Sequence, residues 1–254
     1  LPEGPDTSSL PEARNGTPRK IAAVGDLHCH DTSRGRVRPL LEGVEREAEV
    51  LVFCGDLTDR GTAAEAEVLA NEIAGVRIPM VGVLGNHDYE TGHGEEVGRI
   101  LTQAGVHLLD GETYIIDDDL GFAGVKGFAG GFGDHVLQGW GEGPIKNFVR
   151  AAIDEELKLE EALAKLSTTR RIAILHYSPM RGTLVGEPPE IFPFLGTSRL
   201  QVPINRFHAS AALHGHAHHG TYTDRTDRDV PVYNCSLPLL RRMTPPRTYA
   251  LIEV

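Results

Sequence analysis

The sequence predicts an α/β fold built on a mostly parallel sheet, and three observations predict it. Short apolar runs alternate with amphipathic stretches over residues 20–86. Those runs are apolar throughout, as strands buried on both faces are. They end abruptly in "VGD" at 24–26, "CGD" at 54–56 and "LGN" at 84–86. Strand–helix–strand alternation of this kind implies right-handed crossovers and helices packed on the sheet.

Taken in order, "KIAAVGD" (20–26) is the first strand. "VRPLLEGVEREA" (37–48) predicts a helix, with Pro39 near its start and Leu40, Leu41 and Val44 as its apolar residues. "EVLVFCGD" (49–56) is the second strand. A helix over 62–75 opens with Thr62 and Glu65 at capping-box spacing and closes on Gly75. "IPMVGVLGN" (78–86) is the third strand. Beyond residue 105, "VHLLDGETYII" and "LGFAGVKGFAG" read as successive antiparallel strands about a "DDD" turn. A long helix follows over 147–167, with Val149, Ile153 and Leu157 on one face. "RRIAILHY" (170–177) and "SAALHGHAH" (210–218) are further strands, and "GTYTDRT", "VPVYNCSL" and "RTYALIEV" form a closing meander. The Pro- and Gly-rich stretch 178–207 shows little periodicity, and a loop that long in a compact domain is usually functional.

The 254 residues show no internal repeat and no linker after residue 20, which predicts a single domain over 20–254. Residues 1–19 read as a disordered leader rich in Pro, Gly and Ser, without the apolar core of a secretory signal. With no Met at position 1, the chain reads as trimmed or partial. No apolar run approaches the ~20 residues that span a bilayer, so no membrane partner is expected. The formal charge is −11, which argues against general nucleic-acid binding but not against an anionic substrate held by local cations. Cys29, Cys54 and Cys235 are too scattered for a disulfide framework, and a reducing cytoplasm is the expected location. Cys54, within an apolar strand, reads as core packing; Cys29, between His28 and His30, reads as a non-ligand beside oxygen and imidazole donors, with a metal contact as the alternative.

The chemistry stands at the strand ends. These carry Asp26-Leu27-His28, Gly55-Asp56, Gly85-Asn86-His87-Asp88, His176 and Gly215-His216-Ala217-His218. Ligands bind outside the carboxyl ends of strands in open α/β sheets. Asp26, His28, Asp56, Asn86, His176, His216 and His218 are seven donors, too many for one four- to six-coordinate ion. If Asp56 bridges, two metals receive four ligands each and keep open positions. Oxygen and imidazole donors suit divalent Mn, Fe or Zn, with Mn the first expectation. Paired metals bind a phosphoryl oxygen and generate a hydroxide near neutral pH. The alternative is a set of coincidentally polar strand ends.

The motifs "GDLH", "GDLTDRG", "GNHD", "LHYSP" and "GHAH", in that order over residues 25–218, resemble the calcineurin-like metallophosphoesterase superfamily. The resemblance implies a four-layer α/β/β/α sandwich of two mixed sheets flanked by helices. It implies one metal on Asp26, His28, Asp56 and His218, and another on Asp56, Asn86, His176 and His216. His87 matches the histidine that contacts the substrate phosphate and protonates the leaving group; the alternative is a positioning role only. Asp59 stands where purple acid phosphatases carry a metal-binding Tyr, so no tyrosinate–iron chromophore is expected. Asp59 reads as an acid orienting His87 or another imidazole. Arg60 either grips a phosphate oxygen or pairs with a nearby acid. Arg199, in the long loop with Arg181 and Ser198, is a candidate substrate contact, against the default of an exposed arginine. His30, His214 and His219 lie outside the motifs and read as non-ligands. "GFAGGFG" (127–133) lacks the spacing of a nucleotide-binding loop and reads as a tight turn bordering the site.

The expected function is hydrolysis of a small-molecule phosphodiester or phosphomonoester by attack of a metal-bound hydroxide. "GDLTDRG" is similar to the version in protein serine/threonine phosphatases, but "GNHD" departs from their "GNHE", which places a phosphoprotein substrate second. A nuclease and a non-catalytic metal-binding scaffold rank below both. The sequence does not indicate an oligomeric state.

Overall fold

The computed structural model describes residues 17–254, so nearly all of the predicted leader lies outside the described residues. The order is β1 (Lys20–Val24), α1 (Val44–Glu47), β2 (Val50–Cys54), α2 (Ala63–Ile73), β3 (Met80–Val83), α3 (Gly94–Gln103) and β4 (Val106–Leu108). Then come β5 (Thr113–Ile115), β6 (Leu120–Gly124), α4 (Gly143–Lys165), β7 (Arg170–Ile174), α5 (Phe192–Leu195) and α6 (Gln201–Arg206). The chain closes with β8 (Ala211–His214), β9 (Thr223–Arg225), β10 (Pro231–Asn234), α7 (Leu237–Arg242) and β11 (Ala250–Glu253).

The first sheet has the order β11-β1-β2-β3-β4, parallel from β1 to β4 and antiparallel where β11 meets β1. The second runs β5-β6-β7-β8-β10-β9, with a parallel centre and antiparallel edge strands β5 and β9. Successive side chains on a strand face opposite ways. Ile21, Ala23, Val50, Val52, Val81 and Val83 therefore meet Phe122, Ile172, Ile174 and Leu213 between the sheets. Their neighbours Ala22, Val24, Leu51 and Phe53 pack with Leu69 and Ile73 of α2 and Val97 and Leu101 of α3. On the far side, Ala123, Ala173 and Ala212 pack with Leu159, Ala162 and Leu163 of α4 and Ile204 of α6. The four layers are helix, sheet, sheet, helix, as predicted.

Several elements differ from expectation. The predicted helix over 37–48 breaks into a 3-10 turn, Arg38–Leu41, and α1. Gly43 between them has φ 87°, which no continuous helix accommodates. The next helix opens on the expected capping box but ends at Ile73, before Gly75. Residues 106–116 split at Gly111, φ 96°, so that β4 joins the first sheet and β5 the second. The β5–β6 pair is the antiparallel hairpin expected around "DDD". Helix α4 begins at Gly143, earlier than predicted, and buries Val149, Ala152, Leu159, Ala162 and Leu163. Leu157, assigned to that face, is 48% exposed. The buried stripe runs through alanines that let the helix lie close to β6 and β7, and a search for large apolar residues misses it. The closing meander is half right. β9 and β10 pair antiparallel, but β11 returns to the first sheet, where Ala250 and Ile252 fill the space between the sheets. The stretch 178–207 holds 3-10 turns at Gly182–Leu184 and Pro189–Ile191 as well as α5 and α6.

Candidate metal centre

The carboxyl ends of β1, β2 and β3 in one sheet, and of β7 and β8 in the other, open onto one rim. Hydrogen bonds stitch these ends together. The Asp26 N–H donates to the Gly55 carbonyl at 2.9 Å, and the His28 N–H to the Asp56 carbonyl at 3.1 Å. His176 Nδ1 lies 2.9 Å from the Cys54 carbonyl, tying the second sheet to the first. At the rim the backbone turns left-handed at Asp26 (φ 56°), His28 (43°), Asp56 (50°) and His216 (69°). Asp and His are among the few non-glycine residues enriched in that region, so donor chemistry and backbone geometry select the same residue types. Glycines make room beside them. A Cβ on Gly55 would lie 2.5 Å from His176 Nδ1, and one on Gly215 2.5 Å from Asp26 Oδ2. One on Gly85 would overlap the Asp56 carboxylate.

Among the described residues, four groups of donors result: two share Asp59 (His28, Asp59 and His87; His30, Asp59 and Glu65), and two are built on Asp26 and Asp56. Asp26, His28 and His218 present ligand atoms within 4.8 Å of one another, and so do Asp56, His176 and His216. His218 Nε2 lies 3.0 Å from Asp26 Oδ1, while the backbone N–H of His216 donates to both Asp26 oxygens. Asp56 faces both of the latter groups: Oδ1 is 3.3 Å from His176 Nε2, and Oδ2 is 3.9 Å from His28 Nε2. Asn86 Oδ1 lies 2.9 Å from His176 Nε2.

Burial alone would push both carboxylates up. For Asp26 the His218 hydrogen bond and the His176 charge outweigh it, and for Asp56 the His176 charge does, so both end below the usual range. Burial pulls His176 down, but Asp56 overrides it and raises the imidazole to about 9. Burial, with the His176 charge, pushes His216 down to about 3. Burial lowers His28, and the Asp26 hydrogen bond raises His218.

The family model for calcineurin-like phosphoesterases matches residues 19–220. The chain belongs to that family. It is a metal-dependent phosphoesterase. Among solved structures it is similar to phosphopantetheinyl hydrolase from Mycobacterium tuberculosis, with 16% identity over 92% of this chain and 96% of that one and a TM-score of 0.66. It is also similar to TT1561 of Thermus thermophilus, with 12% identity over 94% and 99% of the two chains and a TM-score of 0.53. At these identities the likeness is one of fold. No curated protein matches the sequence.

The calcineurin-like phosphoesterases act with divalent metal ions, and the donors present fit them. A carbonyl only accepts, so the proton of His176 Nδ1 is committed to Cys54. His176 Nε2 then faces two more acceptors, Asn86 Oδ1 and Asp56 Oδ1. Three acceptors face one another unless a proton or a metal cation stands between them. His28 Nε2 is buried without a hydrogen-bond partner and faces Asp56. His176 has the arrangement of a metal-ligating histidine whose other nitrogen is anchored elsewhere, and His28 presents an unpartnered nitrogen to the same carboxylate.

The remaining candidates lie around this core. His87 edges onto the His28 ring at 4.6 Å, its N–H donates to Asp56 Oδ1, and its Nδ1 is 2.6 Å from the Asp59 carbonyl. The Asp59 carboxylate reaches His28 Nδ1 at 3.4 Å and His30 Nδ1 at 3.5 Å. Asp59 thus touches His87 through its backbone and the other two rings through its side chain. Arg60 is exposed, with Nε 3.8 Å from Asp59. Arg199 is turned to the Leu137 carbonyl at 3.2 Å and to Glu156 at 3.7 Å. His214 is buried between the Gly215 carbonyl and the Thr183 hydroxyl, and His219 meets Arg242. Cys29 is buried in the apolar core.

Sequence reasoning gave Asp88 no role. Fully buried, it accepts hydrogen bonds from the N–H groups of Leu57, Thr58 and Gly85 and from the Thr58 hydroxyl. It buckles the loop after β2 to the loop after β3, and so holds Asp56 beside Asn86. The signal was the last letter of "GNHD".

Two expected results follow from this geometry. Gly85 lies outside the positive-φ region, so Gly85→Ala acts through its Cβ, which collides with the carboxylate and the backbone nitrogen of Asp56 and displaces that ligand. Mn retention after dialysis should fall about 10- to 100-fold in affinity, the range for disturbing a group that supports a ligand; unchanged retention would refute the crowding argument. Secondly, the metal-free protein keeps the second proton of His176, the one on Nε2, until pH about 9, whereas a metal needs the neutral ring. Metal uptake at pH 7.5 should therefore release about one proton or more. Calorimetry in buffers of different ionisation enthalpy reads this directly, and the release from His176 should vanish above pH 9.

Proposed function

We propose that the chain is a binuclear hydrolase of small-molecule phosphate esters, with one divalent ion on Asp26, His28, Asp56 and His218 and another on Asp56, Asn86, His176 and His216. The observation that carries this reading is Asp56, which faces a ring of each of the groups built on Asp26 and Asp56. Bound ions supply positive charge to the phosphoryl oxygens and make water acidic enough to attack near neutral pH. Asp26 and Asp56 contribute about −2 against about +4 from two divalent ions, which leaves an anion-binding site. With no thiolate among the donors, the set suits Mn, Fe or Zn, and Mn is the ion to try first.

His87 is the proton donor to the leaving oxygen. Its Nδ1–H is held by the Asp59 carbonyl, which fixes the ring and leaves Nε2 to carry the transferred proton. Asp59 orients His28 at the same time. Asn86 positions both a metal and the substrate phosphate. Arg60 is exposed enough to reach a substrate oxygen.

The test is removal of bound metal, reconstitution with Mn, Zn or Fe, and assay of phosphomonoesters, diesters and nucleotides. Two ions per chain at full activity are expected. Full activity with one ion would overturn the binuclear reading, and phosphopeptide turnover without small-ester turnover would overturn the substrate class.

A further inference from the structure

We propose that the cleft between the 130–135 loop and the 181–193 segment is a substrate subsite for one arm of the ester, an arm that carries a flat ring and an anionic group, with Arg181 gripping the anion. This rests on the small-ester reading above. The cleft holds about 170 Å³ and is lined by Phe132, His135, Arg181, Pro189, Phe192 and Pro193. That is less than the ~300 Å³ of a pocket for a whole drug-sized ligand, and suits one ring-sized group.

The cleft is coupled to the metal centre through packing. Phe192 packs with Leu184 and Leu195 onto Ala217, the residue between His216 and His218. Next to Pro193 in the chain, Phe194 places its carbonyl 3.4 Å from His216 Nε2. The two walls are also fixed to each other. Gly130 N–H donates to the Pro193 carbonyl at 2.8 Å, Gly131 N–H to Gly196 at 3.0 Å, and Ser198 N–H to Gly131 at 3.1 Å. A cleft held this way is organised before a ligand arrives.

The fixed charge of the cleft is the Arg181 guanidinium, in a chain of net charge −11. The Arg181 guanidinium lies 5.5 Å from the Phe192 ring centre, and among the described residues no side-chain hydrogen bond or ion pair engages it. Its planar fork of donors is therefore open to a phosphate or carboxylate. Arg199, by contrast, is already held by Leu137 and Glu156. The ligand ring packs on half-buried Phe132, and the anion meets Arg181, which the Phe192 ring supports from below.

The test is calorimetric titration of the Mn-loaded full chain with thymidine 3′,5′-bisphosphate and with thymidine 5′-monophosphate, which differ by one phosphate. Wild type should prefer the bisphosphate about tenfold or more, the scale of a charged hydrogen bond. Arg181→Ala should abolish that preference, and Arg181→Lys should retain part of it. Equal affinities in the wild type, an unchanged preference in Arg181→Ala, or equal weakening of both nucleotides would each overturn the inference. A wild type that binds the bisphosphate selectively but hydrolyses no small ester would instead overturn the reading of the reaction and leave the subsite standing.

Discussion

Asp56→Ala should strip the centre of both metals and lower turnover by about 10³-fold or more, at least the scale of losing one preorganised electrostatic group. The carboxylate is 1% exposed, so water does not replace it. Its loss removes the shared counter-charge from His176 and His28 and the acceptor for the His87 N–H. Asp56→Asn keeps the shape and the acceptor at Oδ1 but not the charge, and should fail nearly as badly. Elemental analysis after dialysis, together with hydrolysis of bis-p-nitrophenyl phosphate, checks both consequences. A variant that kept two metals and its activity would show that the donor groups built on Asp26 and Asp56 do not meet at this residue.

His87→Asn should leave metal content intact and lower kcat by about 10²- to 10⁴-fold, the usual contribution of a general acid or base. The His87 ring is anchored by the Asp59 carbonyl through Nδ1 and stands edge-on to His28, with which it shares a donor group through Asp59 and not through Asp26 or Asp56. The size of the loss should depend on the leaving group. Nitrophenolate departs readily without a proton, whereas an alkoxide does not. The defect should therefore be larger for alkyl phosphates than for nitrophenyl phosphates. An equal defect for both would assign His87 to holding the phosphate rather than to moving a proton.

Much of this was legible in the sequence because parallel strands announce themselves twice. Their interiors are apolar throughout, and their carboxyl ends carry the chemistry. β1, β2, β3, β7 and β8 were all found this way, and they carry every residue of the donor groups built on Asp26 and Asp56. The edges were less legible. β4, β5 and β11 are three or four residues long, and the sheet each one joins depends on partners far away in sequence. Turns at glycines such as Gly43 and Gly111 redirect the chain without altering the apolar pattern that predicts an element. The face of α4 was misjudged because Ala152 and Ala162 bury more completely than Leu157. In the site itself, hydrogen bonding was hidden. The sequence offered Asp59 to His87 or another imidazole without saying which atom serves which ring: the backbone carbonyl meets His87, and the carboxylate reaches His28 and His30. Asp88 works by accepting backbone hydrogens; the last letter of "GNHD" marks the residue, but its partners Leu57 and Thr58 lie on another loop.

The left-handed backbone at Asp26, His28, Asp56 and His216 limits what evolution can write there. A mutant library randomised at these four positions and selected only for folding should return Asp, Asn, His and Gly, and be depleted of Val, Ile and Thr, even in medium free of metal. Steric economy and coordination thus draw on one small alphabet, and a lineage that abandoned catalysis would still carry its spelling.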